Sequence, residues 1–207
     1  MTLSIKLEAE VKRQLEEIAN KMRLREIKAP LMILLEDAHA AEMLLERDDS
    51  QFSRRAYIRS IFAYIEGAIW ILKQFCLKAR ATSGIRRISP AEYCLLIEET
   101  YELKSNGVPK TQTKFLRLPE NIRFTFTLVN RLFGANLNLG IGTQSWNKFL
   151  QALNIRHRIT HPKDTSAFAI ADEEIELCKE VCSWFNELIN EYFQVLVANA
   201  NAARENA

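Results

Sequence analysis

Glycine and proline are scarce in this chain, six and five among 207 residues. A fold of many strands and tight turns draws heavily on both, glycine for positive-φ corners and proline for pre-set ones, so long helices are expected instead. No apolar run approaches the ~18 residues that a membrane span needs; the longest on the second main helix is GAIWIL, between Glu66 and Lys73. The opening residues, MTLSIKLEAEVKRQ, carry charge at helical spacing and lack a signal peptide's apolar centre. These absences point to a cytoplasmic protein without a membrane segment.

No C-x-x-C pair occurs among Cys76, Cys94, Cys178 and Cys182. Cys178 and Cys182 would share one helix face, half of a metal site. Both stand among apolar neighbours, however, where a free thiol behaves as a small hydrophobe. Gly140-Ile-Gly142 lacks the preceding strand and the third glycine of a dinucleotide loop and reads as a connector. Neither a metal nor a cofactor is expected.

What is present is an ordinary globular composition, 48% hydrophobic and 26% charged, with a net charge of +2. That small total conceals a polarity along the chain. Between Leu103 and Lys163, Lys104, Lys110, Lys114, Arg117, Arg123, Arg131, Lys148, Arg156, Arg158 and Lys163 face a single acid, Glu120. From Asp172 onward the balance reverses, with eight acids against Lys179 and Arg204. The basic segment suits an anionic partner such as a nucleic acid, or it pairs with the acidic C-terminal helix of its own fold.

The pattern predicts an all-α protein. Leu3, Leu7, Val11, Leu15, Ile18 and Met22 form one face of a helix over residues 3–23. Pro30 suits the first turn of a helix over 30–47, and Asp48-Asp49-Ser50 offers caps for a helix over 51–80. Ser89-Pro90-Ala91-Glu92 is a capping box opening a helix that runs to about Ser105 and stops at Asn106-Gly107, ahead of a basic loop. Further helices are expected from Pro119 to Gly134, from Thr143 to Thr160 and from Asp172 to about Asn199. The division reads as N-terminal helices over 1–47, a helical domain over 50–199 and a frayed tail over 200–207.

Two places carry chemistry. The helix over 51–80 is apolar almost all round, yet Arg59, Glu66 and Lys73 recur on it at seven-residue steps. A carboxylate on a mostly buried helix needs a cation, so Glu66 is expected to meet Arg59 or a basic group from elsewhere. The second place is LNIRHRITHPK at 153–163, which holds two of the three histidines. Extending the seam Trp146, Phe149, Leu153 directs His157 and Thr160 inward and leaves Ile155 and Ile159 opposite. Pro162 disfavours the α conformation at His161, so the chain should turn there and bring Arg156, His157 and His161 together. Spacing and charge leave two readings open, an active site or a cationic helix C-terminus stabilised by the helix dipole.

Arg-[Asn/Asp/His]-x-x-x-His at the end of a late helix, here RHRITH at 156–161 and followed by Pro162, resembles the signature of the HEPN superfamily. Glu66 in AYIEGAIW resembles the acidic residue these proteins carry on a central helix, and LPENIRFTFTLVNRLFG also looks like family sequence. The likeness covers about residues 50–197. It implies a HEPN-type helical bundle, here with an additional N-terminal helical hairpin, and a homodimer whose motifs face each other across a cleft. It implies metal-independent cleavage of RNA through the 2′-hydroxyl, possible in stress or phage defence, with Arg156, His157, His161 and Glu66 in the catalytic set. Arg59, Arg158 and Lys163 would then hold the substrate. Other members are catalytically silent and bind nucleotide or a protein, so an antitoxin or a nucleotidyltransferase is a further candidate partner.

Overall fold

The structure is a computed structural model that describes residues 25–82 and 88–205, together with Glu10 and Arg13. The expected helix over 3–23 lies outside the described residues. Among these residues the chain is mostly helical, with six α-helices and one two-stranded sheet. We number the helices α1 (Arg25–Arg47), α2 (Gln51–Thr82), α3 (Pro90–Leu96), α4 (Leu118–Phe133), α5 (Gln144–Thr160) and α6 (Asp172–Glu205). The strands are β1 (Glu99–Leu103) and β2 (Pro109–Thr113), and a 3-10 turn covers Thr165–Phe168. Two compact units are formed, one from residues up to Ala68 and from Leu137 onward, the other from Ile69 to Asn136.

In the first unit α2 starts where a cap is available. The Ser50 N–H donates to Ser53 Oγ at 3.0 Å and the Ser53 N–H to Ser50 Oγ at 3.3 Å. This reciprocal arrangement satisfies helix-start donors as a capping box does, with serine in the usual Glu place. At Gly67 the Leu34 side chain of α1 lies against α2, and a Cβ there would displace Leu34 Cδ1. The core is aromatic. Tyr64 meets Phe185 edge-on at 5.8 Å, Phe62 lies 6.3 Å from Phe149, and Trp146 meets Trp184 edge-on at 6.3 Å. Such pairs contribute about 0.5–1.5 kcal/mol each beyond their buried area, and they seat α5 and α6 on α2. Gln51–Lys78 is long and apolar enough to cross a membrane by length and composition alone, but 61% of its most apolar window is buried inside the fold.

The second unit departs from expectation. The capping box at Ser89 and Glu92 forms, and α4 opens on Pro119 and ends at Gly134 with φ 65°. The helix from Pro90, however, stops at Leu96 instead of reaching Ser105. Glu98 adopts φ 54°, a left-handed conformation that ends the helix, and β1 begins at the next residue. β1 pairs antiparallel with β2, Tyr101 opposite Thr111 and Leu103 opposite Pro109. Asn106-Gly107 is the corner of this hairpin, Gly107 having φ 78°. Lys73 is fully buried, and its ammonium donates to Glu98 Oε1 at 2.7 Å and to the Leu95 carbonyl at 3.2 Å.

Two helix ends also differ from expectation. α1 begins at Arg25, so Pro30 is inside it instead of in its first turn. α6 continues to Glu205 through residues expected to fray.

Candidate functional site

The end of α5 is built by hydrogen bonds that stop the helix on the histidine. Thr160 Oγ1 donates to the Arg156 carbonyl at 2.7 Å, and the His161 N–H to the His157 carbonyl at 2.9 Å. His161 then leaves the helix with φ −124° and ψ 63°, ahead of Pro162. This is the turn that Pro162 predicts. Arg59 on α2 donates to the Ile159 carbonyl at 3.1 Å, closing another open helix-end acceptor.

Three arginines of α2 hold the end of α5 and the segment that follows it. Besides Arg59, Arg55 donates to the Phe168 carbonyl at 3.0 Å and lies 5.6 Å from the Phe168 ring centroid. Arg54 bridges Asp49 at 2.5 Å and Asp172 at 2.7 Å, and also donates to the Ile170 carbonyl at 2.9 Å. Gln51 clamps the Ile170 backbone, donating to its carbonyl at 2.9 Å and accepting its N–H at 2.8 Å. Asp164 shapes the turn between these anchors, accepting from the Ser166 and Ala167 N–H groups and from Ser166 Oγ. Those bonds, the Ser166 hydroxyl foremost, hold the Asp164 carboxyl below the usual range.

An open cleft of about 660 Å³ results, lined by His157, Arg158, His161, Lys163, Asp164 and Ser166. Arg156 is not in its lining. Its Nη2 meets Glu66 Oε1 at 3.1 Å, the ion pair expected of that carboxylate. Glu66 is less buried than expected, 45% exposed along its side chain. Partial desolvation raises its carboxyl above the ordinary value, against the charge of Arg156.

His157 is a correction. It is exposed, whereas Ile155 and Ile159 are buried, so the inward face continues through Ala152, Ile155 and Ile159. Two isoleucines and an alanine fill the core at helical spacing, and they displace the imidazole to the cleft. Its pKa is lowered by desolvation first, then by the charges of Arg156 and His161. Arg158 is also differently placed. Instead of standing free for a substrate, its Nη2 pairs with Glu174 at 2.8 Å and donates to the Ala169 carbonyl at 2.9 Å. Arg59 is occupied by Ile159, and Lys163 is exposed on the cleft.

Sequence reasoning missed the wall made by Asp164 and Ser166 and the anchoring by Arg54, Arg55 and Gln51. Asp-Thr-Ser directly after Pro-Lys was the available signal, since Asp readily caps its own following turn. Among the described residues no group of three His, Cys, Asp or Glu side chains is placed to hold a metal ion. Burial pushes the Cys178 thiol up to about 12, which suits a packing role for that sulfur. Comparisons with protein-family models, with curated proteins and with solved structures give no match.

Proposed function

We propose that this chain is a cytoplasmic, homodimeric protein with a HEPN-type helical bundle, acting as a metal-independent endoribonuclease. The observation that carries the reading is the Glu66–Arg156 ion pair beside a cleft lined by His157 and His161. Imidazoles exchange protons near neutral pH, and a guanidinium held by a carboxylate presents its remaining N–H groups in a fixed fork. In the proposed reaction His161 of one copy takes the proton of the RNA 2′-hydroxyl. The 2′-oxygen bonds to phosphorus as the bond to the 5′-oxygen breaks, and the second copy's histidine protonates that leaving oxygen. The products are a 2′,3′-cyclic phosphate and a 5′-hydroxyl. Arg156 offsets charge developing on the phosphorane, and Lys163 attracts the backbone.

A second reading, a silent module that binds nucleotide or a protein partner, is favoured by the occupied state of Arg158 and Arg59. RNA incubation in excess EDTA separates the two. The ribonuclease cleaves there, fails on RNA that is deoxy at the scissile nucleotide, and loses activity in His161→Ala. Cleavage that requires a divalent metal, or a monomer in light scattering at micromolar concentration, would count against it.

A further inference from the structure

The cleft at the end of α5 carries charge of both signs. His157, His161 and Lys163 line it beside Asp164, the one carboxylate in its lining. Asp164 enters no ion pair among the described residues, and Arg158 on the same cleft is committed to Glu174 and the Ala169 carbonyl. Hydrogen bonds divide the Asp164 carboxylate in two. Oδ1 accepts from the Ser166 N–H at 2.9 Å, the Ala167 N–H at 3.2 Å and the Ser166 hydroxyl at 2.6 Å. No described group donates to Oδ2. Capping the turn therefore uses one oxygen, which an asparagine would supply as well. The second oxygen carries charge that the turn does not need. The bonds to Oδ1 keep the carboxyl below the usual range, so it is ionised, and they fix where Oδ2 stands. At about 660 Å³ the cleft has the size of a small-molecule site, and a fixed acceptor on its wall is a group that can orient a ligand.

The neighbours of Asp164 narrow what it recognises. A bare anion would be attracted by Lys163 and protonated His161 and repelled by Asp164, and a bare cation would meet the reverse. A nucleotide carries an anion at one end and neutral donors on its base edge at the other. Cytosine and adenine present an exocyclic amino group beside an unprotonated ring nitrogen. Uracil and hypoxanthine present a carbonyl in the same place, whose lone pairs would face the carboxylate. Guanine pairs with a carboxylate through two adjacent N–H groups, which needs two open oxygens where Asp164 offers one. Lys163 precedes Asp164 in the chain and is exposed on the same cleft, so its ammonium can donate to the ring nitrogen beside the amine.

We infer that Asp164 is a specificity-determining residue of the cleft, its Oδ2 accepting the exocyclic amine of cytosine or adenine while His161 and Lys163 hold the phosphate. The inference rests on reading the cleft as a nucleotide site, which the ribonuclease and the silent module share; it does not require cleavage. The test is fluorescence anisotropy of the full chain with labelled deoxy strands about four nucleotides long, which lack the 2′-hydroxyl that cleavage uses. One pair compares oligodeoxycytidine with oligodeoxyuridine, the other oligodeoxyadenosine with oligodeoxyinosine, so each pair exchanges an amine for a carbonyl. The amine strand of at least one pair is expected to bind about fivefold tighter, the effect of one hydrogen bond to an ionised group in an open cleft. The pair that responds distinguishes a pyrimidine from a purine. Asp164→Asn supplies the second arm. Three donors converge on Oδ1, so the amide oxygen takes that place and the NH2 group stands where Oδ2 stood. The turn keeps its cap, and the preference is expected to move about fivefold toward the carbonyl strand of the same pair. Removing a negative charge strengthens the binding of all the strands alike, so the readout is the ratio within each pair. A parent that binds no strand, or binds both members of each pair alike, overturns the inference. It is overturned equally if Asp164→Asn melts as the parent does and keeps the parental preference, which leaves the carboxylate as a turn cap only. A parent that discriminates between the strands yet never cleaves RNA removes the ribonuclease reading and leaves this inference standing. One that cleaves RNA without regard to the base does the reverse.

Discussion

Arg158 Nη2 lies 2.8 Å from Glu174 Oε2, so the middle arginine of RHRITH ties the end of α5 to the start of α6. The same guanidinium donates to the Ala169 carbonyl, and Glu174 also accepts the Ala171 N–H at 3.1 Å. Arg158→Ala would open two contacts on the segment that walls the cleft, those to Glu174 and to the Ala169 carbonyl. We expect a loss of about 1–2 kcal/mol, since unpaired acceptors are left behind, and a fall in melting temperature of roughly 2–8 °C. Arg156→Ala, which removes one half-exposed pair, should change the melting temperature little and reduce turnover about a hundredfold. Thermal melts beside single-turnover rates read the contrast. An Arg158→Ala protein with parental stability but weaker RNA binding would return that arginine to substrate contact.

Glu66 acts through Arg156 in this scheme, which makes it a positioning residue. Glu66→Gln keeps a hydrogen-bond acceptor near the guanidinium but removes the charge. Turnover is expected to fall about tenfold with KM nearly unchanged, because the loss is felt as charge develops on phosphorus. Glu66→Asp should recover part of the rate. If KM rises while kcat holds, Glu66 shapes ground-state binding instead.

Local punctuation made much of this fold legible. Pro119 and Gly134 bound α4, Thr143 caps α5, and Ser89 with Glu92 opens α3, each by chemistry confined to a few neighbours. The hairpin is not legible in the sequence because Asn106-Gly107 can end a helix or turn a hairpin. The left-handed Glu98, which decides between them, has no signature in its residue type. The direction of His157 is not legible either, because the seam of Trp146, Phe149 and Leu153 can continue along either of two neighbouring rows. Ile155 and Ile159 win the buried row, since burying an imidazole there would leave polar nitrogens unpaired. The Glu66–Arg156 pair could be anticipated from the cost of an uncompensated carboxylate. The Arg158–Glu174 pair could not, since it depends on how α5 and α6 align.

The root of the hairpin offers a separate test of stability. Lys73 is fully buried, and desolvation lowers its pKa against the opposing effect of Glu98. Glu98→Gln would leave the ammonium with a weaker partner, and a loss of about 1–3 kcal/mol is expected. Glu98→Gly also removes the carboxylate but relieves a left-handed conformation that costs a non-glycine residue about 1–2 kcal/mol. Glu98→Gly should therefore be more stable in urea melts than Glu98→Ala, which removes the same carboxylate and keeps the strain. Lys73→Met should lie closer to the parent than Glu98→Gln, since it removes the buried charge altogether. The opposite order would mean that the Glu98 backbone carries no strain.

Protonation of His157 gives the last prediction. Desolvation first, and then Arg156 and His161, hold its pKa below the ordinary histidine value of about 6.5 in the folded chain. Between the two values the unfolded chain binds more protons than the folded one, so stability rises with pH there. The contribution is fully present above about 6.5 and is lost as the pH falls through the lower, folded value. His157→Ala should therefore lose less melting temperature than the parent between neutral and mildly acidic pH. In NMR titrations the parental His157 midpoint should lie below 6.5. Arg156→Ala should move it upward without restoring it fully, because desolvation, the larger cause, remains. A neutral His157 at physiological pH can accept a hydrogen bond, which suits orienting the nucleophile better than neutralising phosphate. A parental midpoint above the ordinary value would reverse that role and make His157 a second phosphate-binding cation beside Arg156.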